Sequence, residues 1–140
     1  VAVAGDTFAV LAADTRLSKD YQILSRNASR VWELSPGVWV GMGGCTADIL
    51  ALVETLRVQA KLYAWKNGGK PISLNAMAHL ISTTLYGRRT MPYYAFCVLA
   101  GVDEHGAGAV YAYDAVGSVE KVRAVCVGGA QPIILPILDQ

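Results

Sequence analysis

Residues 93–113, YYAFCVLAGVDEHGAGAVYAY, decide how this chain must fold. Two runs, Tyr93–Val102 and Ala109–Tyr113, are apolar at nearly every position rather than at alternate ones, and one polar turn, Asp103–Gly108, joins them. A strand that is apolar on both faces has to be covered on both faces. The link is short enough to make the pair antiparallel. One covering layer cannot hide two such faces, so the sheet carrying these strands is predicted to lie between two other layers.

The flanking segments supply candidates for those layers. Downstream, the turn Ala115–Ser118 leads to a third strand, Glu120–Val127, and Gly128-Gly129 leads to a helix over Gln131–Leu138. Pro132 suits the first turn of that helix, whereas Pro136 is expected to kink or shorten it. Upstream, Ile49, Leu52, Val53, Leu56, Ala60 and Tyr63 recur at helical spacing as far as Asn67-Gly68-Gly69. A second helix is predicted after Pro71, with Ser73 as N-cap, the stripe Met77, Leu80, Ile81, Thr84 and Leu85, and a stop at Gly87. Two hairpins precede the helices: Val1–Ala4 with Thr7–Ala13 about Gly5-Asp6, and Arg30–Leu34 with Val38–Met42 about Ser35-Pro36-Gly37. Between them lie a polar stretch, Thr15–Asp20, and a strand candidate, Tyr21–Arg26. The order strands, two helices, strands, helix predicts an α+β fold in four layers, α-β-β-α, with two stacked antiparallel sheets and helices over both outer faces.

Composition narrows the function. At 140 residues, 54% hydrophobic and 16% charged, residues 1–140 make one domain with a core large enough to need neither disulfide nor metal. A formal charge of +1, with Arg88-Arg89 as the nearest thing to a basic patch, argues against nucleic acid and anionic lipid as partners. Cys45, Cys97 and Cys126 form an odd, widely spaced set inside apolar runs, which reads as reduced thiol chemistry. The mean hydropathy of +0.36 is high, yet no stretch reaches the ~18 uncharged, predominantly apolar residues of a membrane span. A subunit interface is the expected sink for the excess apolar surface. Val1 falls inside a strand pattern and Gln140 follows a helix barely under way. The domain is therefore expected to be incomplete at both ends and not to fold as this segment alone.

Two local features bear on chemistry. In Val38–Asp48, VWVGMGGCTAD, a strand turns through glycines straight into a helix N-terminus. Such a junction can hold an anion or a developing oxyanion on its backbone N–H groups, or its glycines can serve only a tight turn. Neither a P-loop lysine nor a βαβ context accompanies it. In Ala12–Arg16, AADTR, an apolar strand ends in an acid and a base. Asp14 could orient a nearby amine, although the plainer reading is a turn in which Asp14 and Arg16 pair. Cys45 sits where a helix dipole lowers a thiol pKa, against the plainer reading of a packed small residue. His79 and His105 have no ligand spacing. Arg88-Arg89 can cap the second helix or reach a neighbouring chain.

Taken together, FAVLAADTRL at Phe8–Leu17, Arg30-Val31 and GMGGCTAD at Gly41–Asp48 resemble the proteasome β subunits of the N-terminal-nucleophile hydrolase superfamily. Residues 84–118 and 127–139 look like its non-catalytic sixth β-subunit type. That resemblance implies a four-layer sandwich. In active members an N-terminal threonine attacks the scissile carbonyl and its own amine serves as base. Asp14 matches the family's catalytic aspartate, Arg30 the position of a lysine that lowers the nucleophile's pKa, and Gly44 the glycine whose N–H lines the oxyanion hole. Met42 matches a specificity-pocket residue and Gly129 the position of a serine near the threonine, which itself would lie three residues before Val1. Arginine is effectively never deprotonated, and glycine has no hydroxyl to relay a proton. The four positions Asp14, Arg30, Gly44 and Gly129 are therefore expected to be vestigial, with no catalytic residue, metal or cofactor in this chain.

The implied role is a structural subunit of the 20S core particle in the cytoplasm and nucleus. Its expected partners are the other α and β subunits, with unfolded protein substrates in the chamber of this ATP- and ubiquitin-dependent system, and neither nucleic acid nor membrane. Two alternatives stand beside it: an active threonine endopeptidase whose threonine lies outside these residues, and an unrelated monomer that binds an anion at the glycine junction.

Overall fold

A computed structural model describes residues 1–140, which form ten strands and three helices. The strands are β1 (Ala2–Ala4), β2 (Ala9–Leu11), β3 (Leu17–Lys19), β4 (Gln22–Ser25), β5 (Val31–Ser35), β6 (Val38–Gly44), β7 (Ala95–Val102), β8 (Gly108–Tyr113), β9 (Val119–Val122) and β10 (Ala124–Val125). The helices are α1 (Thr46–Lys66), α2 (Leu74–Tyr86) and α3 (Gln131–Leu138). One five-stranded antiparallel sheet has the order β5-β6-β7-β8-β9, a three-stranded sheet has the order β10-β1-β2, and β3-β4 stands apart as a hairpin.

The two-sided burial expected of residues 93–113 is what β7 and β8 show. Ala95, Cys97, Leu99, Ala109 and Tyr113 face the main core with the buried stripes of α1 and α2. Val98, Ala100 and Val110 point the other way, onto Ala2 and its neighbours in the small sheet. Leu52, Leu56, Met77, Ile81, Leu85 and Leu99 are fully buried, each stabilising the fold by roughly 1.5–3 kcal/mol. Three polar ties fix α2 and the segment before it. Ser73 Oγ accepts the Ala76 N–H at 3.4 Å, Ser82 Oγ–H donates to Gly117 O at 2.6 Å, and Tyr113 O–H donates to Ala78 O at 3.0 Å. Both large helices cover the same sheet, while α3 lies against β10 of the small one.

Several expected boundaries shift. The polar stretch Thr15–Asp20 contains a strand, β3, whose polar residues are exposed and which turns into β4 through Asp20 at φ 52° and Tyr21. The β6 strand runs on through Gly43 and Gly44 instead of stopping at Met42, because both glycines pair with β7. Glu120–Val127 is not one strand. The chain bends at Arg123, so that β9 pairs with β8 in the large sheet while β10 pairs with β1 in the small one. Ala4 N–H donates to Arg123 O at 2.7 Å across that bend. Tyr63 leaves the α1 stripe and is 38% exposed. The last helix occupies the residues expected of it and ends two positions past Pro136.

Candidate functional site

A cleft of about 940 Å³ is lined by residues of both sheets. Its walls are the end of β2 with Leu11–Asp14, Arg30 ahead of β5, the glycine end of β6, Tyr94 and Phe96 on β7, and Val125–Gln131 leading into α3. Asp14, Arg30, Gly44 and Gly129, far apart in sequence, all line it. Met42 borders the cleft as well, yet it is buried within the helix-side core.

Asp14 does not pair with Arg16, as the local sequence suggests. Its Oδ1 meets Arg30 Nε at 3.5 Å, and Arg30 Nη2 donates to Arg16 O at 2.6 Å. Arg30 thus staples the strand-end loop to β5, because its side chain reaches both the carboxylate and the backbone beyond it. Asp14 is two-thirds exposed, so the pair contributes at most about 1 kcal/mol and acts mainly as a positioning contact.

The glycine junction is built by close approach. Gly44 has φ 128°, and a methyl on it would overlap the carbonyl oxygen of Tyr94. That carbonyl accepts the Cys45 N–H at 2.8 Å, while the Tyr94 N–H donates to Asp48 Oδ2 at 2.8 Å. The Asp48 carboxylate therefore occupies the first turn of α1 and complements the positive end of its dipole from within the chain. This favours the turn reading of the junction over an anion site centred on the helix N-terminus. Gly129 differs from Gly44, since nothing lies within 4 Å of a Cβ placed there and its φ is not left-handed. The cleft has room for the serine side chain that the resemblance assigns to active members.

Sequence reasoning missed Tyr94, Phe96, Asp114 and Gln131 as cleft residues. Tyr94 and Phe96 meet edge to face, with centroids 5.5 Å apart. Their alternation with the buried Ala95 and Cys97 was the available signal, masked because every residue of that run is apolar. Asp114 Oδ1 accepts the N–H groups of Val116 and Ser118 and shapes the β8–β9 turn.

Cys45 is exposed and is not the packed residue that the plainer reading expects. Cys97 and Cys126 are buried, and burial pushes the Cys97 thiol up to about 12. Iodoacetamide at pH 8 is expected to modify Cys45 at least about 100-fold faster than Cys97 in the folded chain. Equal rates by peptide mass spectrometry would show that the β7 core opens readily.

Residues 1–140 match the family model described as proteasome subunit. The chain belongs to the proteasome subunit family. It is 45% identical over 139 residues to a proteasome subunit beta type-1 of Arabidopsis thaliana, a match covering 99% of this chain and 62% of that protein. The corresponding Drosophila melanogaster protein is 42% identical over 139 residues, covering 99% and 59%. A proteasome subunit beta type-6 of Saccharomyces cerevisiae is 41% identical over 137 residues, covering 98% and 57%. The chain thus spans about three fifths of the length of the relatives it matches. Family membership agrees with the α+β class and the stacked antiparallel sheets read from the sequence.

Proposed function

We propose that this chain is a structural, non-catalytic β subunit of the 20S proteasome core particle, acting in the cytoplasm and nucleus. Residues 1–140 would form one subunit domain that completes a β ring and shapes the chamber in which unfolded proteins are degraded. The observation that carries the reading is Arg30. Where the resemblance places a proton-exchanging lysine in active members, this chain has a permanently charged guanidinium held by Asp14 and Arg16 O. Gly129, without the hydroxyl of active members, supports the same conclusion, so Asp14, Arg30, Gly44 and Gly129 keep the form of a site without its chemistry. The similarity to beta type-1 subunits supports the ring position.

The surface also suits an assembled subunit. Leu50, Val58, Leu62 and Trp65 lie exposed along α1, with Trp65 78% accessible, and α3 exposes Ile133 and Ile137. Exposed apolar side chains on the outer helices of both sheets suit burial against neighbouring subunits.

The full-length protein, examined in cell extract, tests the proposal. It is expected to elute only in a very large complex and to remain unlabelled by an epoxyketone probe that labels active threonine subunits in the same sample. Stoichiometric labelling of its own leading threonine would establish the endopeptidase alternative, and elution as a free monomer would defeat the structural role.

A further inference from the structure

We propose that Arg88 and Arg89, at the end of α2, form a contact surface for an acidic segment of a neighbouring polypeptide, an inference that rests on the assembled role proposed above. The arginines sit in a run of tight turns. Arg88 N–H donates to Leu85 O, Arg89 N–H to Tyr86 O and Met91 N–H to Arg88 O, each at 3.0 Å. Their backbone is therefore fixed without help from their side chains.

Each guanidinium lies over an aromatic ring. Arg88 Cζ is 4.4 Å from the centroid of Tyr93, which is buried, and Arg89 Cζ is 5.9 Å from that of Tyr86. Stacking uses the flat face of the cation and leaves its N–H edge available. Neither side chain forms an ion pair, since the two in the chain are Arg30–Asp14 and Lys121–Asp103. The only arginine side chain that donates a hydrogen bond within the chain is Arg30. Two forked donors are thus held in place with no acceptor of their own, an arrangement suited to carboxylates.

Placement at a helix C-terminus accounts for a cation there, but not for its surroundings. Beside the pair in sequence, Tyr86 and Met91 are 58% and 81% exposed. Aromatic, methionine and arginine side chains together are the composition of protein interface cores. A nucleic acid would need a longer run of cations than two residues on a chain of formal charge +1. Prior stacking also reduces the side-chain entropy lost when a partner binds.

The test uses the full-length protein expressed in cells. The double variant Arg88→Lys, Arg89→Lys keeps both charges and supplies amines for zero-length carbodiimide cross-linking. Peptide mass spectrometry of the large complex is expected to find position 88 or 89 joined to an aspartate or glutamate of another chain. In competition with tagged wild type, Arg88→Glu, Arg89→Glu is expected to enter the complex about tenfold less, and the lysine variant less than about twofold less. Cross-links confined to this chain's own carboxylates, no cross-link at either position, ultraviolet cross-linking of these residues to nucleic acid, or equal incorporation of a soluble glutamate variant would each overturn the inference. Those outcomes leave the structural role intact when wild type is in the complex. Wild type found outside any complex overturns the structural role and this inference with it.

Discussion

Gly44→Ala is expected to destabilise the full-length subunit by about 3–4 kcal/mol, while Gly43→Ala, one residue earlier in the same strand, changes stability by less than about 1 kcal/mol. The two glycines look alike in the sequence and differ in what surrounds them. Gly44 adopts φ 128°, where an L side chain is strained, and its added methyl would strike the Tyr94 carbonyl. Backbone cannot move aside as a flexible side chain can. Relief would require β7 to shift, and that carbonyl also accepts the Cys45 N–H that starts α1. A Cβ on Gly43 meets nothing within 4 Å, and its φ is not left-handed. Urea unfolding of the two variants checks the contrast, with a shift of about 2 M expected for Gly44→Ala alone. Equal midpoints would mean that the β6–α1 junction is not held by this close approach.

The contrast also shows where sequence stops being informative. The β7–β8 hairpin was legible because eight and six residues of nearly unbroken apolar character leave a strand no choice but burial on both sides. The larger helices were legible from stripes of buried residues and from Ser73, whose hydroxyl caps α2. Leu17–Lys19 was not legible as a strand, because it has no alternating apolar pattern and owes its shape to pairing with β4. Nor could the break at Arg123 be read. It arises because the β1 edge takes up Ala124 and Val125, a demand made by residues more than a hundred positions away.

The cleft was legible only in part. Residues alone suggested the neighbours Asp14 and Arg16 as a pair, since local spacing is all that a sequence displays. The observed partner, Arg30, lies sixteen positions on and reaches Asp14 only because the hairpin β3-β4 folds out between them. The gathering of Asp14, Arg30, Gly44 and Gly129 followed from the family resemblance and not from periodicity. Tyr94, whose backbone clamps both Gly44 and Asp48, belongs to a run in which no position stands out.

Above pH 9 the folded subunit is expected to lose stability progressively, and Cys97→Ala is expected to flatten that loss. Burial pushes the Cys97 thiol from its ordinary 9.0 up to about 12, and Tyr113 rises above its ordinary 10.0 through burial first and then through the charges of Cys97 and Tyr111. The Tyr113 hydroxyl also donates to Ala78 O, a bond that only its neutral form can make. Between pH 9 and 12 the unfolded chain releases these protons while the folded chain keeps them, so rising pH favours unfolding. The folded state gains from these groups fully below pH 9 and loses that gain through the window. Each group contributes a slope of up to about 1.4 kcal/mol per pH unit. Urea unfolding at pH 8, 9, 10 and 11 measures it. Cys97→Ala leaves a cavity that lowers stability at every pH, yet its slope is expected to fall by up to one proton relative to wild type. Tyr113→Phe should remove a second share, beginning about one pH unit higher. A Cys97→Ala slope equal to wild type would show that the alkaline loss comes from elsewhere and that the face of β7 toward α1 and α2 admits water.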